Sequence, residues 1–170
     1  YLKNTYIRSL FITSNGSLPE RIDKFLDDLA KTNLDRKFIF SFSIDHIPEK
    51  HDKIRKIKNL FEKCLESLKI VNSYGDNCFA NISITVSLEN YQDIDEIYSE
   101  LLTRYKVNAI TACLVRDEGV YKTPETDKKK ILTAYERLVE KIKIDSKNGT
   151  LKGYNPKSMQ GRMMNKKNEI

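Results

Sequence analysis

Two kinds of segment alternate along this 170-residue chain. The first kind is short, apolar and rich in β-branched or aromatic residues, whereas the second is longer, charged and apolar at helical spacing. Strands are predicted at about residues 7–13, 37–44, 79–87 and 109–115, and helices at about residues 17–29, 54–68, 92–105 and 124–143. The alternation predicts an α/β fold of about four parallel βα repeats. Four strands do not close a barrel, so the repeats form either a small open sheet or an incomplete portion of a larger barrel.

Polar residues follow each predicted strand. Ligands of parallel βα proteins bind outside the carboxyl ends of the strands. Hydroxyl, carboxylate and amide side chains occur at all four of these ends, at residues 13–16, 43–46, 85–90 and 116–119. The pattern indicates a polar ligand at this edge of the sheet.

Hydroxyl side chains also share one face of the two middle strands. Ser41 and Ser43 alternate with phenylalanines in the second strand, and Ser83 and Thr85 alternate with apolar residues in the third. Helices cover the apolar face, so the hydroxyls are expected to line the interior, where a ligand with a ribose or amino-acid end satisfies them. The alternative is an edge strand with its hydroxyl face open to water.

The net charge of +6 is concentrated near the carboxyl terminus. Residues 122–170 hold 13 Lys/Arg against 6 Asp/Glu, and the rest of the chain is close to neutral. This region lacks aromatic interleaving and any nucleic-acid motif. A solvated basic helix and tail is the favoured interpretation, and a nucleic-acid-binding module is the alternative.

The cysteine count is odd and the spacing is wide, at Cys64, Cys78 and Cys113. Neither a disulfide framework nor a zinc knuckle is indicated, so we expect buried structural thiols in a reducing, cytoplasmic setting. No apolar run is long enough to span a membrane. His51 and Asp52 form either a general base with an orienting acid or, in the favoured interpretation, a site where Asp52 caps a helix.

Four motifs at the strand ends together resemble a known superfamily. Residues 13–18 (TSNGSL) resemble the T-N-G-x-x-L/I turn after the third strand of radical S-adenosylmethionine (SAM) enzymes. Residues 42–45 (FSID), with 51–55 (HDKIR) and then Phe61, resemble the S-I-D-G … H-D-x-I-R … F signature of the fourth strand. Residues 82–87 (ISITVS) with Asn90 resemble the fifth, and residues 114–116 (LVR) resemble the L-V-R-G end of the sixth.

The resemblance covers about residues 7–145 and implies the later βα units of a partial TIM-like barrel. In that superfamily SAM lies across the strand ends. The resemblance implies SAM contacts at Ser43, Asp45, Ser83, Thr85 and Arg116. Ser14 and Asn15 are expected nearer a small-molecule or peptide substrate. Residues 146–170 are expected to form a basic tail or linker, and residues 163–170 resemble the stretch before a cysteine-rich auxiliary-cluster domain.

Two motifs of the superfamily do not occur in this sequence, the C-x-x-x-C-x-x-C motif that holds a [4Fe–4S] cluster and the G-G-E-P motif. Glycines of its signatures are replaced by His46 and Asp117. We therefore expect a fragment whose partners are upstream βα units of the same polypeptide, which would carry the cluster ligands. No catalytic or metal-binding residue is assigned here. The full enzyme would cleave SAM reductively to a 5′-deoxyadenosyl radical, and this piece alone is expected to be inactive. The alternative is a non-catalytic, stand-alone βα binding or scaffold domain.

Overall fold

A single parallel sheet organises the chain. The computed structural model describes residues 8–32, 36–116 and 123–152, so Asp117 and residues 163–170 lie outside the described residues. The strands lie in chain order, each paired with the next: β1 (Ser9–Ser14), β2 (Lys37–Ser43), β3 (Cys78–Val86) and β4 (Ile110–Leu114). The helices are α1 (Pro19–Ala30), α2 (Pro48–Arg55), α3 (Leu60–Ser73), α4 (Ile94–Thr103) and α5 (Glu125–Lys147). The predicted α/β fold of four parallel repeats is confirmed.

The helices cover one face of the sheet, as right-handed crossovers between neighbouring strands require. Helix α3 packs on β2 and β3, α5 packs on β4 and β3, and α1 lies against α3. Every second residue of the two central strands is buried beneath them. These residues are Phe38, Phe40 and Phe42 of β2 and Ile82, Ile84 and Val86 of β3. This apolar layer is the core of the molecule, because burial of such side chains is the main favourable term in folding.

The opposite face of the sheet carries no described helix and is divided into two ends. At its amino end, Phe11, Ile39 and Phe79 lie in register on neighbouring strands, with Phe11 68% exposed and Phe79 44% exposed. Toward the carboxyl end the same face presents hydroxyl and amide side chains. We call this whole uncovered side of the sheet, from its amino end to its carboxyl end, the open face. The hydroxyls of β2 and β3 belong to central strands of this sheet and not to an edge strand, but no described helix covers the face that carries them.

The segment after β2 forms two helices where the sequence pattern predicted one. The break lies between Lys56 and Asn59, and both of these residues adopt left-handed backbone angles with φ of 57°. Asp52 accepts a hydrogen bond from the backbone N–H of Phe61 at 3.0 Å, which satisfies a free donor in the first turn of α3. The break separates α2 from α3, and two side chains of α2, His51 and Arg55, bond to Asp45 just beyond the end of β2.

Helix α5 continues to Lys147, past its predicted end near residue 143. The chain then turns back toward the amino end of β4. Leu151 is buried, and the N–H of Lys152 donates to the carbonyl of Asn108 at 2.6 Å. Within the described residues, no helix combines the length and the apolar character needed to cross a membrane.

Candidate functional site

The turn after β1 is fixed by local hydrogen bonds and by a close approach to α3. Gly16 has φ of 67°, and a Cβ at this position would lie 2.9 Å from the Cα of Cys64. Only glycine tolerates both conditions without strain. The Ser14 hydroxyl accepts the N–H of Gly16, and the Asn15 side-chain oxygen accepts the N–H of Ser17, each at 3.1 Å. The predicted substrate residues therefore lie half-buried on a rigid turn at the carboxyl end of β1.

Asp45, two residues beyond the end of β2, is held by three different side chains. Its N–H donates to Nδ1 of His51 at 3.2 Å, and its carbonyl accepts from Nδ2 of Asn90 at 2.7 Å. Its Oδ2 accepts from Nε of Arg55 at 2.5 Å. The other carboxylate oxygen, Oδ1, is buried and has no hydrogen-bond partner among the described residues. An unsatisfied buried acceptor is costly, so it marks the place where a ligand donor would be most favourable.

The predicted hydroxyls lie side by side on the open face. Ser43 pairs in register with Ser83, and Thr85 pairs with Cys113 on the next strand. Ser83 is buried, and its hydroxyl lies 3.5 Å from Sγ of Cys113, whereas Ser43 and Thr85 are half-buried. Within the described part of the chain, the hydroxyls of Ser43 and Thr85 make no hydrogen bond.

A second polar pair lies on the open face, nearer the amino end. Nδ2 of Asn81 donates to the hydroxyl of Thr111 at 2.7 Å. Sequence reasoning missed this pair because the contact joins residues 30 positions apart. It also missed the pairing of Arg55 with Asp45, for which the chain carries no local signal. Asn90 lies four residues after the end of β3, among the polar residues at the strand ends, and that position was a signal for a role at this edge.

The two histidines are buried and bond to neighbouring residues, although Nε2 of His51 has no hydrogen-bond partner among the described residues. Nδ1 of His51 accepts the N–H of Asp45, so the neutral ring carries its proton on Nε2, and burial lowers its pKa below the ordinary value. Asp52 bonds to the start of α3 instead of orienting His51, which contradicts the general-base pair. Asp52 lies inside α2, so it caps the following helix and not, as expected, the start of its own. Nε2 of His46 lies 3.0 Å from Oδ2 of Asp93, and Lys50 contacts the same oxygen at 2.9 Å.

The cysteines do not form a metal site. Cys64 and Cys78 are buried, and burial raises the pKa of the Cys64 thiol to about 12. Cys113 is exposed on the open face, which corrects the expectation that all three thiols are buried. This happens because Cys113 lies on the strand face that no described helix covers. The described residues contain no group of three His, Cys, Asp or Glu side chains that could hold a metal ion.

The remaining predicted SAM contact lies further along the same edge. Arg116 is exposed and follows β4, next to β3 in the sheet. The structure thus brings Ser43, Asp45, Ser83 and Thr85 together on adjacent strand ends. The Ser14–Asn15 turn lies on one side of this group, and Arg116 lies on the other.

Comparison with solved structures identifies the fold. The chain superposes on three structures of anSMEcpe, an anaerobic sulfatase-maturating radical SAM enzyme: a hexahistidine-tagged form with AdoMet, a native form with AdoMet, and a native form with AdoMet and the Cp18Cys peptide. The TM-scores are 0.57, 0.59 and 0.56, at identities of 17%, 18% and 16%. The chain shares the fold of part of a radical SAM enzyme. The superposition covers 88% of this chain and 39% to 41% of those chains, so the chain spans about two fifths of their length. No protein-family model and no curated protein matches the sequence.

The polar side chains at the strand ends suit SAM as a ligand, but they do not suit an iron–sulfur cluster. The free acceptor Oδ1 of Asp45 and the hydroxyls of Ser43 and Thr85 suit the hydroxyl and ammonium groups of SAM. An iron–sulfur cluster needs several thiolates at one place. Of the two buried cysteines, Cys64 lies in α3 and Cys78 lies on the covered face of β3, so the described residues do not fit a cluster.

Proposed function

We propose that this chain forms part of the wall of a SAM and substrate cavity in a radical SAM enzyme. The observation that carries the proposal is the row of hydroxyls on adjacent strand ends beside a buried, unpaired carboxylate oxygen. The shared fold with anSMEcpe, whose structures hold AdoMet, supports the choice of SAM over other polar ligands.

Each contact has a chemical reason. The hydroxyls of Ser43, Ser83 and Thr85 both donate and accept, so they suit the ribose and the methionine portion of SAM. Asp45 accepts from a ligand hydroxyl or ammonium group through Oδ1. Arg116 is an exposed guanidinium at the neighbouring strand end and suits a carboxylate of SAM or of the substrate.

The substrate is proposed to lie near the turn after β1. Ser14 and Asn15 bond to the turn itself, which fixes their positions at the edge of the sheet. A structure of anSMEcpe holds a peptide together with AdoMet, which favours a peptide over a free small molecule as the substrate. The cluster and the radical chemistry are assigned to residues outside this chain, because its sequence contains no C-x-x-x-C-x-x-C motif, so the chain alone is expected to be inactive.

The test uses the complete natural polypeptide, purified anaerobically, with its affinity for SAM measured by calorimetric titration. Ser43→Ala is expected to weaken SAM binding by roughly three- to tenfold, the value of one hydrogen bond. Ser41→Ala is the matched control, because Ser41 lies on the same face of β2 and is also half-buried, but is two residues further from the strand end. Its affinity is expected to stay within about twofold of wild type.

Absence of SAM binding by the wild-type polypeptide would contradict the proposal and favour the stand-alone scaffold domain. Equal affinities of the two variants would contradict the assignment of Ser43. The proposal has three further parts. The barrel units end near residue 145 and a tail or linker follows, the protein is cytoplasmic, and the chain packs against upstream βα units of the same polypeptide.

A further inference from the structure

The side chain of Asn90 joins the strand ends that carry the proposed SAM contacts. Asn90 lies between β3 and α4 and is only 2% exposed. Its Nδ2 donates to the carbonyl of Asp45 at 2.7 Å and to the carbonyl of Thr85 at 2.9 Å. Its Oδ1 accepts the N–H of Ser87 at 2.8 Å. Both donors of the amide are used, so its orientation is set by its partners.

These bonds continue the sheet beyond the regular strands. The N–H of Ile44 donates to the carbonyl of Ser83 at 3.1 Å, and the carbonyl of Asp45 lies one residue further on. At Asp45 the side-chain amide of Asn90 takes the place of a backbone N–H and joins the segment after β2 to the end of β3. Beyond the bond between Ile44 and Ser83, the position of Asp45 relative to the end of β3 therefore depends on one buried side chain.

Asp45 depends on this bridge together with two other bonds. His51 holds its N–H and Arg55 holds its Oδ2, while Asn90 holds its carbonyl. The backbone of Asp45 is thus fixed from both sides. Loss of the Asn90 bonds would remove the donor from a buried carbonyl, that of Asp45, and from a part-buried one, that of Thr85, and would release one side of Asp45.

We propose that Asn90 is a positioning residue for SAM binding. By joining the carbonyls of Asp45 and Thr85, it holds Asp45 beside the end of β3, beyond the last backbone hydrogen bond between the two strands, so that Asp45 and the strand-end hydroxyls contact one ligand. The inference rests on the proposed function, because it takes SAM to be that ligand. Asn90 acts through these neighbours and does not contact the ligand, since its donors are already engaged within the protein.

The decisive variant is Asn90→Asp in the complete polypeptide. Aspartate keeps the size of the side chain and the acceptor for the N–H of Ser87, but it removes both donors and sets a carboxylate against two carbonyls. SAM affinity is expected to fall about tenfold. Asn90→Ser, which retains a single donor, is expected to give a smaller loss and serves if the aspartate variant does not fold.

The matched control is Asn72→Ala, compared with Asn90→Ala. The side-chain oxygen of Asn72 accepts the N–H of Ala80 at 3.0 Å, so it supports the same strand at its amino end. Melting temperatures followed by circular dichroism measure the structural cost of each variant. SAM affinity, measured well below melting, is expected to fall only for Asn90→Ala.

A double-mutant cycle separates positioning from a structural role. In the Asn90→Asp background, Ser43→Ala is expected to cost little further affinity, whereas Ser41→Ala is expected to behave as in wild type. Unchanged affinity of Asn90→Asp, or fully additive losses with Ser43→Ala, would overturn the positioning role while leaving the proposed function intact. Failure of the wild-type polypeptide to bind SAM would instead overturn the proposed function.

Discussion

The two faces of the sheet are made from alternate residues of the same strands, yet they differ in almost every other respect. In β2, Phe38, Phe40 and Phe42 are buried beneath helices, and the intervening Ser41 and Ser43 are half-buried on the open face. The first face is apolar and closely packed. The second carries hydroxyls, amides and exposed aromatic rings that contribute little to the packed core. We therefore expect stability to depend mainly on the covered face, and the proposed ligand binding to depend on the open face.

The open face is itself divided between its two ends. At the amino end the register row of Phe11, Ile39 and Phe79 is apolar, and at the carboxyl end the row of Ser43 and Ser83 is polar. The polar end is also the end that side chains brace, through the bonds of His51, Arg55 and Asn90 to Asp45. A braced polar end is what a preorganised binding site requires.

The largest effect on stability is expected from the covered face. Phe42→Ala should lower the free energy of unfolding by about 3–5 kcal/mol, because Phe42 is completely buried and stacks against Phe40. Its neighbour on the open face is the control, and Ser43→Ala should change the free energy by less than about 0.5 kcal/mol. Urea unfolding of both variants measures the contrast, and similar losses for the two would contradict the division between the faces.

A smaller effect is expected where the turn after β1 meets α3. Gly16→Ala should destabilise by more than the roughly 1–2 kcal/mol that a left-handed backbone costs alanine, because the new methyl group meets the Cα of Cys64. Gly75→Ala is the matched control, since Gly75 also has a positive φ but no atom lies within 4 Å of the added Cβ. Thermal unfolding compares the two, and equal losses would show that the contact with α3 is unimportant.

The smallest effect is a pH dependence at the braced end. Burial lowers the pKa of His51, so its contribution to stability is fully present above the ordinary value of 6.5 and is lost as the pH falls toward the lower folded value. The free energy of unfolding should therefore decline between about pH 7 and pH 5, with a slope from this group of at most about 1.4 kcal/mol per pH unit.

The control for this titration is His51→Asn, which places a non-titrating acceptor near the position of Nδ1. Urea unfolding at several pH values should show a flatter dependence for this variant than for wild type. The same slope in both proteins would mean that other groups are responsible for the dependence.

Much of the fold follows from the sequence, because the strand pattern is set by residues close together in the chain. The period-two alternation of Phe and Ser in β2 identified both the strand and its covered face, and the end of β2 was predicted within one residue. The break between α2 and α3 was not predicted, since Lys56 adopts a left-handed angle that its residue type does not signal. Asn59 is of a type that tolerates this angle, but an isolated Asn also occurs within helices.

The site was predictable where it depends on strand ends and was not where it depends on distant pairs. The polar residues after each strand indicated the edge, and parallel pairing then places Ser43 beside Ser83. The bond between Arg55 and Asp45 and the burial of His51 depend on where α2 lies relative to the end of β2. The exposure of Cys113 likewise depends on which strand face the helices leave open.

Hydrogen–deuterium exchange of the complete polypeptide, with and without SAM, tests the central claim most directly. Protection by SAM is predicted for the backbone amides of residues 43–46 and 83–90 at the carboxyl end of the open face. The amides of residues 9–11, 37–39 and 78–80 at its amino end should exchange at unchanged rates. Protection at the amino end with none at the carboxyl end would contradict the account.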